Sequence, residues 1–284
     1  MQNMKDIKRR IDSVENTQKI TRAMKMVAAA KLKNSQNRAE AARPFFKKTR
    51  QILGDISRYT REEEDHPLMA RRQGGKSLYI GISGDRGLCG AYNTRVIKKI
   101  ETSITDKDQE NIVAIGSKVR DYFRKRDYNI ISEYVEIADY PGFKFARRVG
   151  EEVISLFKEQ IVDRVFLVYT HFNSAISQDT KKIPLLPVEM PEDYEGREQV
   201  DFIYEPSARE VLNNILPRYI NNILYASLLE AKASEFGSRM TAMDSATDNA
   251  EEMIEDLTLT YNRARQAQIT KEITEIVGGA EALK

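Results

Sequence analysis

Residues 83–93 read SGDRGLCGAYN, and glycines stand at every third position from Gly81 to Gly90, after an apolar run and before a helical one. A glycine-rich turn entering a helix is where backbone N–H groups can cradle a phosphate. The dinucleotide fingerprint G-x-G-x-x-G needs a second glycine two positions after the first, and Ser83 stands there instead. The alternative is a plain turn that swings a strand into a helix. The run GGKS at 74–77 resembles the end of a phosphate loop, G-x-x-x-x-G-K-[ST]. Its first glycine would be position 70, which is Ala70, and the run precedes a strand rather than following one. The carboxylates of EEED (62–65) are of the type that binds hard cations, but adjacent like charges on a connector are ordinarily solvated. Cys89 is the single cysteine, so an internal disulfide and a thiolate cluster are excluded, and without an adjacent base it is a poor nucleophile. His66 and His171 are the only histidines, too few for a His-rich metal site or a relay. No catalytic, cofactor or metal site is therefore expected.

The elements around these residues explain more. Glycine and proline fill 22 of 284 positions and charged residues 31%, which favours long regular elements. No apolar run approaches the ~20 residues of a membrane span. The N-terminus MQNMKDIKRRIDS has no apolar signal core, and a cytoplasmic, reducing compartment is expected. The net charge of +2 conceals a polarity: residues 1–60 carry +10, residues 61–205 carry −4 and residues 206–284 carry −4. A basic first helix invites a nucleic-acid reading, but stacking aromatics are missing from its first 40 positions, so a solvated or protein-facing surface is favoured.

Residues 4–58 read as one helix. Ile7, Ile11, Val14, Thr17, Thr21, Met24, Ala28, Lys31, Ser35, Arg38, Ala42 and Phe45 recur at steps of four and three, a heptad-like seam frayed by polar residues in its second half, which Pro44 could kink. Residues 207–277 read as a second, opened by a capping box of Ser207 and Glu210 and stopped by Gly278 and Gly279. Its seam runs Leu212, Leu216, Tyr219, Ile223, Ala226, Leu229, Ala233, Phe236, Met240, Met243, Thr247, Ala250, Ile254, Leu257, Tyr261 and Ala264, and Pro217 should bend or delay its start. At ~1.5 Å per residue it would extend on the order of 100 Å and project from any compact domain. Between the helices, strand signals at 77–83, 111–116, 129–135, 164–170 and 181–189 alternate with helical stretches near 93–104, 117–127 and 143–160. That order predicts a mainly parallel sheet of about five strands, with Pro184 and Pro187 confining the last to an edge. The fold class is α/β: a long antiparallel coiled coil of N- and C-terminal helices with an inserted α/β domain. The expected divisions are a 1–60 helix, a 61–75 connector, a 76–200 α/β domain and a 206–284 helix.

Five segments, in order, resemble the gamma subunit of bacterial F-type ATP synthase: NTQKITRAMKMVAAAKL (16–32), DRGLCG (85–90), IYEP (203–206), SRMTAMDSATDNA (238–250) and YNRARQAQITKEITEIVGGA (261–280). The last fits the family pattern [IV]-T-x-E-x-x-[DE]-x-x-x-G-A through Ile269, Thr270, Glu272, Glu275, Gly279 and Ala280. The resemblance spans essentially the whole chain. It implies a non-catalytic rotor shaft, standing inside a ring of alpha and beta subunits, holding epsilon and resting on the membrane ring of c subunits. It implies no cofactor, no nucleic acid and no direct insertion into the membrane, with a peripheral place on the cytoplasmic side of the bacterial cell membrane. By motif position it implies partner contacts at Met24, Lys25, Lys31, Lys33, Arg86 and Cys89, facing acidic lever loops. It further implies contacts at Arg239, Gln266, Thr270 and Glu272 with the catalytic subunits, and at Tyr204 and Glu205 near epsilon and the rotor ring. The regulatory cysteine pair of some plant-type members is absent here. Two other readings of the residues stand beside it: a free-standing coiled-coil scaffold, and a nucleotide-binding enzyme that uses the 83–93 loop.

Overall fold

The computed structural model describes residues 4–59, 66–72, 75–189, 205 and 207–281. Helix α1 is Met4–Tyr59, followed by strand β1 (Ser77–Ile82), α2 (Tyr92–Glu101), β2 (Glu110–Ile115), α3 (Ser117–Arg124), β3 (Asn129–Tyr134), α4 (Phe143–Lys158), β4 (Arg164–Phe172), β5 (Gln178–Leu186) and α5 (Ala208–Glu281). The chain separates into two compact units, Ala28–Arg239 and the terminal pair Met1–Val27 with Met240–Lys284.

In the larger unit the sheet order is β3-β2-β1-β4-β5. The first four strands are parallel and β5 is antiparallel to β4. All six residues of β1 are buried, as expected of a central parallel strand covered on both faces. The two-residue period of a strand sorts them. Leu78, Ile80 and Ile82 face a core shared with α4 (Val149, Val153, Phe157) and α5 (Leu216, Ile220, Leu224). Tyr79 faces the other, with Val96 and Ile100 of α2 and Val119 and Phe123 of α3. Each such side chain contributes about 1.5–3 kcal/mol on full burial. Pro184 sits on the edge strand β5, where its missing N–H costs no ladder bond to a further strand.

Three details of the helices differ from the sequence reading. First, α5 begins at Ala208 with the Glu210 amide donating to Ser207 Oγ at 3.3 Å, so Pro217 lies inside the helix and does not delay it. Second, α5 continues through Gly278 and Gly279 to Glu281. A glycine costs a helix only about 1 kcal/mol relative to alanine, which does not force a stop. Third, the single seam was too narrow between residues 220 and 238. Ile220, Leu224 and Leu228 are buried, whereas the seam positions Tyr219, Ile223 and Ala226 are only half-buried. This stretch has two apolar faces, because within the larger unit it meets both the sheet and α1.

The helix pairing is antiparallel within each unit. In the larger unit the Lys31 ammonium lies 5.7 Å from the Phe236 ring, Phe46 lies 6.5 Å from Tyr225 and Asn222 Nδ2 donates to Thr49 at 3.2 Å. In the terminal unit the Thr247 hydroxyl donates to the Thr21 hydroxyl at 2.8 Å, and Lys25 is ion-paired with Asp244. Buried Ile7, Thr21, Met243, Thr247 and Ala250 line that unit's seam.

Candidate functional site

The glycine loop joins β1 to α2 at the carboxyl end of the parallel strands, the position a phosphate would occupy in a nucleotide-binding sheet. Here the chain's own polar groups fill it. Asp85 Oδ1 accepts the Ser117 amide at 2.8 Å, and the Asp85 carbonyl accepts the Ser117 hydroxyl at 2.8 Å. Asp85 Oδ2 accepts the Ile137 amide at 2.9 Å. One carboxylate thus sits at the N-terminus of α3, where the helix favours negative charge, and also ties down the connection after β3. The Ser83 hydroxyl accepts the Val119 amide at 3.1 Å, and Asn93 Oδ1 accepts the Gly84 amide at 2.8 Å. Gly116 before α3 has φ +100°, and a Cβ there would lie 2.3 Å from the Ser83 carbonyl oxygen, so the close crossing requires glycine. The amides of Gly84, Ser117 and Val119 are thus engaged within the chain.

The loop's outer tip is Arg86, Gly87 and Leu88, all exposed. Leu88 holds φ 61°, a left-handed conformation uncommon for leucine, with its side chain 62% exposed. Beneath it Cys89 is 1% exposed. The Asn93 amide donates to its sulfur at 3.2 Å, and burial pushes its thiol above the ordinary range, against a weaker opposing effect of Arg239. As an expected partner contact Cys89 needs correction: its side chain is sealed inside this chain, and only its neighbours on the tip can touch another molecule.

The loop rests on α5 over a buried charge cluster. Glu235 pairs with Lys232 at 3.1 Å and with Arg239 at 2.8 Å, and its side chain is 5% exposed. The Arg239 guanidinium also reaches the Gly87 carbonyl at 3.4 Å. A Cβ on Gly84 would meet the Glu235 carboxylate at 3.1 Å, so loop and helix are in direct contact. Nearby, Lys31 of α1 pairs with Asp139 at 2.6 Å, Asn34 donates to the Tyr140 hydroxyl at 3.3 Å and Arg38 lies 4.7 Å from the Tyr140 ring. Lys33 is exposed. Arg239 and Lys31 therefore have intramolecular partners, while Lys33 and Arg86 point outward. Asp85, Asp139 and Glu235 were not singled out from the sequence.

In the terminal unit Met24 and Lys25 are half-buried, Lys25 with its carboxylate partner Asp244. Gln266, Thr270 and Glu272 are exposed near the end of α5. Thr270 donates back to the Gln266 carbonyl at 2.9 Å, and Gln268 bonds Glu272 at 2.8 Å. This end is less polar than its sequence suggested. Ile269, Ile273, Ile276 and Val277 are exposed, and their spacing of four, three and one places them along one face. Glu205 is exposed, and Tyr204 lies outside the described residues. Among the described residues no helix is long and apolar enough to cross a membrane, and no group of three or more His, Cys, Asp or Glu could hold a metal ion.

A sequence model of the family described as ATP synthase matches residues 3–283. The chain is 60% identical to the ATP synthase gamma chain of Halothermothrix orenii over 287 aligned positions, covering all of both chains. The chain belongs to the ATP synthase gamma-chain family. It is also 47% identical to the gamma chain of Moorella thermoacetica, again over the full length of both. Among solved structures it is similar to a chain of the Tetrahymena thermophila mitochondrial ATP synthase central stalk and c-ring. There the identity is 26% and the TM-score 0.59, over 80% of this chain and 99% of that one. A chain of the Euglena gracilis mitochondrial ATP synthase OSCP/F1/c-ring structure matches in fold, with TM-score 0.70 at 18% identity over 99% of this chain and 94% of that one. The role of this family member is that of the central stalk of an F-type ATP synthase.

Proposed function

We propose that this chain is the non-catalytic shaft of a rotary ATP synthase, carrying torque between an ion-driven membrane ring of c subunits and a hexamer of alpha and beta subunits. The supporting observation is the interlocked pairing of α1 with α5: in each unit, opposed side chains bridge antiparallel helices. Helices joined along their length resist twisting better than either alone. In this reading residues 1–60 and 206–284 form the shaft, 61–75 a connector, and 76–200 the α/β foot beside epsilon and the ring. The chain is peripheral, on the cytoplasmic side of the bacterial cell membrane.

Coupling then arises from contacts that differ between orientations of the shaft. Arg86 and Lys33, both exposed cations, are assigned to acidic loops of the catalytic subunits, and Met24, Lys25 and Lys31 are assigned partner contacts of the same kind. Arg239 acts by holding the loop that carries Arg86. Gln266, Thr270 and Glu272 meet the hexamer together with the isoleucine stripe. Tyr204 and Glu205 are assigned to epsilon and the ring.

Reconstitution with alpha and beta subunits from the same source tests this reading. The full chain should raise ATP hydrolysis of the mixture without turning over nucleotide itself, and a chain lacking 262–284 should do so less well. An isolated chain that hydrolyses nucleotide and ignores alpha and beta would contradict it.

A further inference from the structure

A groove of about 420 Å³ lies where α1, the start of α4 and α5 meet, wholly within the larger unit. That volume falls within the roughly 300–1,000 Å³ of small-molecule sites. The sequence of α1 makes the hollow. Arg38, Ala41, Ala42 and Phe45 line it from one helical face, and the two alanines between the long side chains leave a depression. Phe143, the first residue of α4, and Tyr225 of α5 supply the rest of the wall, their rings 5.7 Å apart at 88°. Phe46 backs Tyr225 at 6.5 Å. The groove is open to solvent, and two of its large apolar rings face it: Phe45 is 61% exposed and Phe143 40%. A flat apolar body laid against these rings would take their surface out of water, which is favourable in proportion to the area removed.

The charge in the lining sets the ligand's head group. The Arg38 guanidinium lies over the Tyr140 ring at 4.7 Å. That contact holds the side chain in place but gives its five N–H donors no oxygen acceptor. Among the described residues no hydrogen bond or ion pair occupies those donors. The carboxylate beside that ring, Asp139, is already paired with Lys31 at 2.6 Å. The groove's described lining contains a guanidinium and no acidic side chain. A guanidinium fork takes a carboxylate through two parallel N–H···O bonds, so the groove joins a carboxylate-binding head to an aromatic slot. We propose that it binds a small aromatic carboxylate, whose head pairs with Arg38 while its ring system lies over Ala41 and Ala42 against Phe45 and Phe143.

Sodium 2-naphthoate is the probe, with 2-naphthalenemethanol as its neutral counterpart and 2-naphthylmethylammonium as its cationic one. Titrations of the full chain by ligand-observed NMR and by calorimetry should show saturable binding of the naphthoate, with Kd on the order of 1 mM or tighter for a ligand of this size. The alcohol should bind at least about fivefold more weakly, and the ammonium should not saturate. Arg38→Gln should weaken naphthoate at least about fivefold and leave the alcohol unchanged. Phe45→Ala should weaken acid and alcohol alike, several-fold. Arg38 and Phe45 are both exposed, so neither substitution empties the core. Ile273→Ser with Ile276→Ser, which alters the exposed isoleucines near the end of α5, should leave naphthoate binding unchanged. The proposal fails if naphthoate does not saturate by about 10 mM, if the alcohol or the ammonium binds as well as the acid, or if Arg38→Gln and Phe45→Ala leave its affinity unchanged. It fails equally if the isoleucine variant abolishes binding, which would place the ligand at the end of α5.

Discussion

Replacing Glu235 by glutamine tests the buried clasp beneath the glycine loop. The substitution keeps size and shape and removes one charge. In the native chain that charge compensates Lys232, whose side chain is 8% exposed, and Arg239, whose side chain is 13% exposed. Breaking a buried pair by removing one member costs about 3–5 kcal/mol, because the remaining charge stays desolvated. Glutamine still offers one carbonyl oxygen, so the lower end applies, about 3 kcal/mol. At about 2–4 °C per kcal/mol for a chain of this size, the thermal midpoint should fall by about 6–12 °C. The companion variant Glu235→Gln with Lys232→Met removes the stranded ammonium as well and should recover part of the loss, with a coupling of about 1–3 kcal/mol. Two readouts apply to the full-length chain: urea denaturation and the rate at which Cys89 reacts with a thiol reagent. Labelling should accelerate in Glu235→Gln, because Glu235 helps both to hold the loop and to raise the thiol above its ordinary range. A cost below about 1 kcal/mol with unchanged labelling would show that the cluster is not what fixes the loop.

Asp85→Ala removes the acceptor of two backbone amides, those of Ser117 and Ile137, and should cost roughly 2–4 kcal/mol in urea denaturation, with Asp85→Asn costing less. Tyr79, Tyr134 and Tyr169 are each pushed up to about 12, chiefly by burial. The folded state therefore holds these protons more tightly than the unfolded chain, whose phenols ionise near 10. Stability from this source is full below about pH 10 and is lost as pH rises through about 12, and Tyr79→Phe should flatten that fall in urea midpoints. Ile273→Ser combined with Ile276→Ser alters only exposed side chains, so stability should stay within about 0.5 kcal/mol while stimulation of alpha-beta hydrolysis weakens. A drop in stability with normal stimulation would assign these isoleucines to the fold instead.

Elements with a strong local signal were legible. The strands from Ser77, Asn129 and Arg164 begin where alternating β-rich runs begin, and Ser207 caps α5 as its position before Glu210 suggested. The edge placement of β5 followed from Pro184, whose ring forbids a central strand. What was hidden depends on distance along the chain. Asp85 finds its partners 32 and 52 residues away, and Lys31 finds Asp139 108 residues away, so no short pattern announces either. The second apolar face of α5 was obscured because a seven-residue repeat records one neighbour, whereas residues 220–238 have two. The glycine pair near the end of α5 misled in the opposite direction, since a helix stop needs a favourable alternative for the chain and not only a weak helix former. The tip stripe was readable in principle from Ile269, Ile273, Ile276 and Val277, but the charged residues between them masked it.

The most direct measurement immobilises the alpha-beta hexamer, attaches a probe to the α/β foot of this chain through a cysteine introduced at the exposed Lys107, with Cys89 left buried, and watches the probe during ATP hydrolysis. Sustained rotation in one direction is expected, slowed or stalled more often when residues 262–284 are removed. A probe that stays fixed while the hexamer hydrolyses ATP at the stimulated rate would contradict the shaft reading.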